Sequence, residues 1–196
     1  MARTAGSDGT ATKARILAVA ERLIAVQGFD ALSMRALAAA SGLQVGALYH
    51  YFPDKQSLLV HLLQRHFESL EAEFAGGTAQ NGTPVDQLLS FGTKHVRFHA
   101  ANRLSTLLAL HDMRSLDRTV AAPVLKQRQH HELRLQQILM AGVAAGAFRS
   151  VDAQIAAKSI LAFLTETAIW HREGGGRSLD VIAKDSADMM LAMLRV

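Results

Sequence analysis

The chain has 196 residues, of which 49% are hydrophobic and none is cysteine, and it carries a formal net charge of +4 at pH 7. The absence of cysteine excludes disulfides, thiolate nucleophiles and thiolate metal sites. No apolar stretch is long enough to span a bilayer, and the start MARTAGSDGTATKAR has no apolar signal core, so we expect a cytoplasmic protein that does not contact membranes.

The first part of the chain is predicted to form three short helices after a flexible arm at residues 1–11. Thr12 is a candidate N-cap for the first helix, which should end before Gly28. Ser33 is placed to cap a second helix with the sequence MRALAAA. The turn SGL follows, and a third helix is expected over residues 44–50.

Two short helices joined by a turn that contains glycine form the helix-turn-helix unit, whose second helix enters the major groove of DNA. This unit offers a partner for the aromatic run YHYF, part of which must face solvent on any helix. We expect Tyr49 and His50 to meet phosphates, and Gly46 to allow a close approach of DNA to the backbone. Three residues are expected to face base edges: Gln44, Val45 and Ala47.

The segment from about residue 12 to residue 59 resembles the TetR family of bacterial transcription regulators. The resemblance rests on GFDALSM, ALAAASGL and GALYHYFPDKQSLL, in that order. It implies that Ser33 bonds a phosphate, that Arg35 reaches a base or a phosphate, and that Lys55 holds the DNA backbone from the start of the fourth helix.

The chain departs from the commonest family pattern at two positions of the third helix. Family members usually carry a small hydroxyl residue where Gln44 stands and serine or threonine where Ala47 stands. The operator sequence of a relative therefore does not transfer to this protein.

The remainder of the chain keeps helical spacing, and no strand pattern occurs. We predict six further helices: from Lys55 to GGTAQNG, from Thr83 to about residue 100, through RLSTLLALHDM, from Val120 to Ala145, from Asp152 to WHREGGG, and from Ser178 to the end. The predicted fold is all-α. An N-terminal three-helix DNA-binding domain with the helix-turn-helix (residues 12–54) precedes a larger helical domain for ligand binding and dimerisation (residues 55–196).

The last two predicted helices have more apolar surface than one core needs, which is typical of a two-fold interface. The resemblance implies a four-helix dimer bundle here, and an ordinary core seam is the alternative. The candidate dimerisation residues are Ile160, Phe163, Thr167, Trp170, Met189 and Met193.

The fourth to seventh helices are expected to enclose the pocket of a small-molecule effector. The candidate lining residues are Phe91, Phe98, Leu107, Leu110 and Met113. Residues 94–134 hold eight Lys or Arg against three Asp or Glu, which fits a ligand with an apolar and an anionic part, or else a solvated basic face. The stretch GVAAGAFRSVD...TAIWHREGGGRSL resembles the ligand domain of TetR proteins that control lipid or steroid catabolism and sense acyl-CoA thioesters.

Enzyme and metal interpretations have little support in the sequence. HHELRL at residues 130–135 lacks the second histidine of a zinc protease motif, and no catalytic elbow or phosphate-binding glycine loop occurs, so we predict neither enzyme activity nor a cofactor. His95 and His99, four residues apart, form a metal site only with a third ligand such as His111 or Asp112.

The sequence therefore predicts a homodimeric transcription regulator that binds double-stranded operator DNA. A repressor released from a palindromic operator by a small apolar or amphipathic effector, such as an acyl-CoA, is the leading hypothesis. A metal-responsive regulator of the same fold and a helical small-molecule carrier without DNA binding are the alternatives.

Overall fold

The computed structural model describes residues 5–75, 82–172 and 174–195, and all regular secondary structure in these ranges is helical. None of the helices in these ranges is long and apolar enough to cross a membrane. The helices are α1 (Ala5–Gln27), α2 (Met34–Ala40), α3 (Val45–Tyr51), α4 (Lys55–Ala75), α5 (Pro84–Ala101), α6 (Arg103–His111), a 3-10 turn (Met113–Ser115), α7 (Ala122–Ala144), α8 (Ala153–Thr165), α9 (Thr167–Trp170) and α10 (Leu179–Ala192).

The predicted helices and most of their caps are confirmed. The hydroxyl of Ser33 accepts a hydrogen bond from the Ala36 amide, and Thr83 forms a capping box with Asp86. Two further predicted caps are also in place: Asp152 on α8 and Ser178 on α10. The glycines that end α1, α2 and α7 adopt the positive φ that favours glycine: Gly28, Gly42 and Gly146.

The start of α1 differs from the prediction. The helix begins at Ala5, so Thr12 lies inside it and does not cap it, and residues 5–11 are helical and do not form a separate arm. Once a helix is nucleated, each added residue gains a hydrogen bond at little cost, and α1 is anchored by the buried side chains of Ile16 and Ala20. Residues 1–4 of the predicted arm lie outside the described residues, as do residues 76–81 of the predicted break after α4.

The predicted eighth helix is divided in two. Helix α8 ends at Thr165, and α9 begins at Thr167. The hydroxyl of Thr165 donates to the carbonyl of Leu161 at 2.7 Å, and such bonds from threonine to its own helix favour a bend. The break brings Thr165 to the end of α8, where it also contacts His95 on α5.

The three N-terminal helices contribute to the hydrophobic core that runs through the protein. Leu48 and Phe52, predicted to be core residues, are fully buried, and they pack with Ile16 of α1 and Leu37 of α2. Burial of these side chains holds α3 with its opposite face outward.

Hydrogen bonds join this unit to the larger domain. The amide of Phe29 donates to Asp112 Oδ1 at 3.0 Å, just after α6. The side-chain amide of Gln56 donates to the Ser115 carbonyl at 2.8 Å, and its oxygen accepts from the Asp117 amide at 3.0 Å. The segment that follows α6 is therefore bonded both to the end of α1 and to the start of α4.

Helix α5 is central in the larger domain and packs against α7, α8, α9 and α10. Gly92 permits the close approach of α10, because a Cβ at this position would lie 2.6 Å from Met190 Cε and 3.3 Å from Ala187 Cβ. Helix α7 carries a similar close contact, where Gly142 lies directly beneath the ring of Phe148.

Replacing Gly142 with alanine should destabilise the protein, because the added Cβ would overlap the Phe148 ring and force it to move. We expect a loss of about 1–3 kcal/mol in the free energy of unfolding, measured by urea denaturation. Gly46→Ala is the matched control, since a Cβ at Gly46 meets no atom within 4 Å. Equal stabilities for the two variants would contradict this account of the α7 contact.

Candidate functional site

The turn between α2 and α3 is tight and well bonded. Gly42 has a φ of +67°, and the amide of Leu43 donates to the Ala38 carbonyl at 2.9 Å. The buried side chains of Leu37 and Ala38 fix α2 against the core. The turn therefore sets the direction of α3 relative to α2.

The outward face of α3 carries the residues predicted to read DNA. Gln44 precedes the helix, and its side chain is exposed and makes no capping hydrogen bond. Tyr49 is 45% exposed, and His50 is exposed beside it. The other two reading positions lie on the same accessible stretch, with Val45 exposed and Ala47 half-buried, and Gly46, predicted to allow a close approach of DNA, is exposed between them.

The DNA-contacting residues predicted outside α3 differ in their surroundings. Arg35 is exposed on α2. Ser33 uses its oxygen as the α2 cap, which leaves its O–H free to donate. The ammonium of Lys55 donates to the Asp30 carbonyl at 2.8 Å and lies 4.5 Å from the centre of the Phe29 ring, so this side chain also holds the turn between α1 and α2.

A cavity of about 500 Å³ opens among α4, α5, α6, α7 and α8. Leu110 and Met113, two of the five predicted lining residues, contribute to its wall. Polar side chains from five helices supply a further part of the wall that the sequence analysis did not assign: His66, His95, His99, Thr106, His131 and Thr165.

The other three predicted lining residues do not reach this cavity. Phe98 is buried in the core. Phe91 is also buried and lines a second recess of about 470 Å³ between α4, α5 and α7. Leu107 lines neither space. Helical spacing identified these residues as facing inward, but it does not distinguish core from cavity.

Two family models match the chain. One, described as bacterial regulatory proteins of the tetR family, matches residues 16–62, and the other, a tetracyclin repressor-like C-terminal domain, matches residues 81–194. The chain belongs to the TetR family. It therefore combines the DNA-binding unit of these transcription regulators with their C-terminal domain.

Individual relatives agree with this assignment. The HTH-type transcriptional repressor KstR2 of Rhodococcus jostii RHA1 is 27% identical over 195 residues, or 96% of this chain and 92% of that protein. A tetR-family regulator from Rhodococcus RHA1 has a TM-score of 0.86 and 29% identity, with 94% of this chain and 97% of that chain covered. AibR, at 23% identity, shares the fold with a TM-score of 0.81 over 94% of this chain and 98% of its own.

The C-terminal domain of this TetR-family protein contains four buried histidines, His66, His95, His99 and His131, each no more than 4% exposed. Burial lowers the pKa of all four, most strongly those of His95 and His99, and neighbouring histidines lower it further for His66, His95 and His99. The pKa of His66 falls from 6.5 to about 4. The four rings are therefore neutral at pH 7.

Two of these histidines, His95 and His131, belong to a chain of contacts across the domain. Glu71 Oε1 on α4 lies 3.4 Å from His131 Nδ1 on α7, and His131 Nε2 lies 3.2 Å from His95 Nδ1 on α5. His95 Nε2 lies 2.8 Å from the hydroxyl of Thr165 on α8. The pKa of Glu71 is lowered, first by its contact with His131 and also by Arg134, whose guanidinium lies 2.7 Å from Oε2.

The histidine pair proposed as a metal site is engaged otherwise. His95 bonds His131 and Thr165, and His99 Nδ1 lies 3.0 Å from the Thr106 hydroxyl. Of the suggested third ligands, Asp112 accepts the bond from the Phe29 amide. Within the described ranges no group of three or more His, Asp or Glu side chains is arranged to hold a metal ion. The geometry gives the metal-responsive alternative no support.

The candidate dimerisation residues fall into two groups. Ile160 is buried in the core of the protomer and does not reach its surface, whereas Thr167 is buried but lines a groove between α8, α9 and α10. The same groove, of about 620 Å³, is also lined by the half-buried Phe163 and by two exposed side chains, Trp170 and Met189. Met193 is 47% exposed at the end of α10.

The buried histidines predict a pH dependence of stability. In the unfolded chain His66 has its ordinary pKa of 6.5, whereas in the folded protein its pKa is about 4. Between these two pH values the unfolded chain therefore binds more protons than the folded protein. Stability should therefore fall on acidification through this window, by up to about 1.4 kcal/mol per pH unit for each such histidine. Urea denaturation at several pH values would measure this slope, and His66→Gln should reduce it. An unchanged slope in the variant would contradict the neutral state of His66.

Proposed function

We propose that this TetR-family protein is a homodimeric repressor that leaves a palindromic operator when a small amphipathic effector binds its C-terminal cavity. The observation that carries DNA binding is the exposed face of α3, in which Gln44, Val45 and Tyr49 point away from the buried Leu48 and Phe52. In a dimer, two such helices would enter successive major grooves roughly 34–36 Å apart. The name of KstR2, a transcriptional repressor, supports the direction of regulation.

The exposed part of the cavity wall supports an anionic effector. It contains Arg114, Arg128 and Lys158, with Glu132 as its acidic residue. Apolar side chains of Leu110, Leu125 and Leu161 offer contacts to a hydrocarbon body. AibR, which shares the fold, was solved with isovaleryl coenzyme A and operator DNA, so an acyl-CoA thioester is a suitable candidate class.

A route from the cavity to the DNA-binding unit follows from the segment after α6. Met113 and Arg114 line the cavity, while their neighbours Asp112 and Ser115 accept hydrogen bonds from Phe29 and Gln56. An effector that binds better when this segment is displaced would favour a different placement of the two DNA-binding units. The spacing of the units would then no longer match the grooves.

A gel shift on the DNA upstream of the gene, at two salt concentrations and with excess nonspecific duplex, tests the function. We expect a shift that survives the competitor and that candidate acyl-CoA thioesters release. If effector-free protein gives no shift at either salt concentration, the repressor proposal is wrong, and the helical carrier becomes the better explanation.

Substitutions on α3 should separate base reading from backbone contact. Gln44→Ala should change the preference among operator variants by about 1–3 kcal/mol at one position, because Gln44 would contact a base edge. Tyr49→Ala should weaken binding to all variants alike, because Tyr49 would contact phosphate. Affinities for a set of single-base operator variants provide the measurement. A uniform loss in both mutants would contradict the assignment of Gln44.

The dimer interface can be tested with one charge. Met189 is 50% exposed on α10, beside the groove between α8, α9 and α10, and Met189→Glu would bury a carboxylate between two protomers. We expect sedimentation of this variant as a monomer. Val26→Glu is the control, since Val26 is an equally apolar side chain that is 88% exposed on α1. A dimeric Met189→Glu protein would place the interface elsewhere.

A further inference from the structure

Hydroxyl groups on α6 set the tautomers of two histidines in the cavity wall, His66 and His99. His99 Nδ1 lies 3.0 Å from the Thr106 hydroxyl, which lies 3.3 Å from the His99 carbonyl. His66 Nδ1 lies 3.0 Å from the Ser105 hydroxyl, which lies 3.1 Å from the Asn102 carbonyl. In both cases a single hydroxyl stands between an imidazole nitrogen and a backbone carbonyl.

The hydrogen count decides the direction of these bonds. A hydroxyl has one hydrogen to donate, and a carbonyl can only accept, whereas a neutral imidazole nitrogen can do either. Both contacts are satisfied only when the hydroxyl donates to the carbonyl and accepts from the imidazole Nδ1–H. His66 and His99 therefore carry their single hydrogen on Nδ1, and each Nε2 keeps a lone pair.

These two lone pairs are acceptors in the cavity. Both side chains are more than nine-tenths buried, both line the cavity, and their ring centres lie 5.5 Å apart. Over the part of the chain that the structure describes, neither Nε2 has a hydrogen-bond partner. Because burial keeps the rings neutral, they do not offer an N–H here in place of the lone pair.

The exposed part of the same wall carries basic side chains. Arg114 and Lys158 are exposed, and Arg128 contacts the sulfur of Met113 at 3.5 Å. Glu132 is bonded by the side-chain amide of Gln136 at 3.0 Å. The cavity thus has basic groups where it is open and hydrogen-bond acceptors where it is closed.

We propose that the effector is an amphipathic anion whose apolar body carries a hydroxyl group, and that this hydroxyl donates to Nε2 of His66 or His99. Its anionic end stays against Arg114, Arg128 and Lys158. This inference rests on the proposed function, because it names the effector of the same cavity. A ketone at the position of the hydroxyl brings a lone pair against a lone pair, so the site selects the alcohol over the ketone.

Calorimetric titration of the full-length protein with matched carboxylates tests the proposal. The probes are the (ω−1)-hydroxy, (ω−1)-keto and unsubstituted forms of decanoate, dodecanoate and tetradecanoate, so that the reach of the hydroxyl is varied. At the best chain length we expect the hydroxy form to bind about 3- to 10-fold tighter than the unsubstituted form, as one neutral hydrogen bond gives. The keto form should bind more weakly than the hydroxy form.

Variants assign the effect to the two rings. His99→Phe and His66→Phe keep an aromatic ring and remove the acceptor, so at least one should abolish the preference for the hydroxyl while retaining affinity for the unsubstituted probe. That retained affinity, together with operator binding, shows that the variant is folded. His111→Phe is the control, because His111 is exposed on α6 and does not line the cavity.

Three results would overturn the inference: no binding of any probe, equal binding of the hydroxy and unsubstituted forms, or a hydroxyl preference that survives in both His99→Phe and His66→Phe. None of these bears on the gel shift of the effector-free protein. A protein that shifts operator DNA but shows one of these results retains its proposed function and loses only this effector class.

Discussion

The placement of the DNA-binding unit depends on hydrogen bonds to the few residues that follow α6. Asp112 accepts from the Phe29 amide, and Gln56 bonds both Ser115 and Asp117. Phe29 begins the turn that follows α1, and Gln56 belongs to the first turn of α4. These two anchors flank α2 and α3 in the chain, so that the direction of α3 follows the position of this segment.

In the larger domain, the neutral histidines limit how many of the buried polar contacts can be hydrogen bonds. In the contacts that join Glu71, His131, His95 and Thr165, the hydroxyl of Thr165 also donates to the Leu161 carbonyl. The chain therefore has four contacts, while two neutral imidazoles and one hydroxyl supply three hydrogens. The longest contact, 3.4 Å between Glu71 and His131, is the one left without a well-formed hydrogen bond. Protonation of His131 would supply a fourth hydrogen for the contact with Glu71, but burial lowers the pKa of His131.

The sequence predicted the DNA-binding unit better than the cavity, and the reason is physical. Capping residues such as Ser33 and Asp152 act on their own helix, and Leu48 and Phe52 fall on one side of a short segment, so local spacing is sufficient. The cavity is lined by residues of α4, α5, α6, α7 and α8. Which of their residues line it depends on the angles at which these helices pack, and the spacing of apolar residues in the sequence does not determine those angles. For the same reason Phe91, predicted to line the effector pocket, lines the separate recess between α4, α5 and α7, and Ile160, predicted at the dimer surface, is buried.

Helix α6 connects the chemistry of the cavity to the position of the DNA-binding unit. Ser105 and Thr106, which set the tautomers of His66 and His99, lie on α6, and Asp112 follows at its end. If α6 shifts, the hydroxyls leave the imidazoles, and the rings lose the bonds that fix their tautomers. Under the effector proposal, ligand affinity at His66 and His99 would therefore be linked to the position of α6, and the ligand would in turn bias α6 by the same free energy. The hydrogen bonds that set the two tautomers would then also be the bonds through which occupancy of the cavity reaches Asp112.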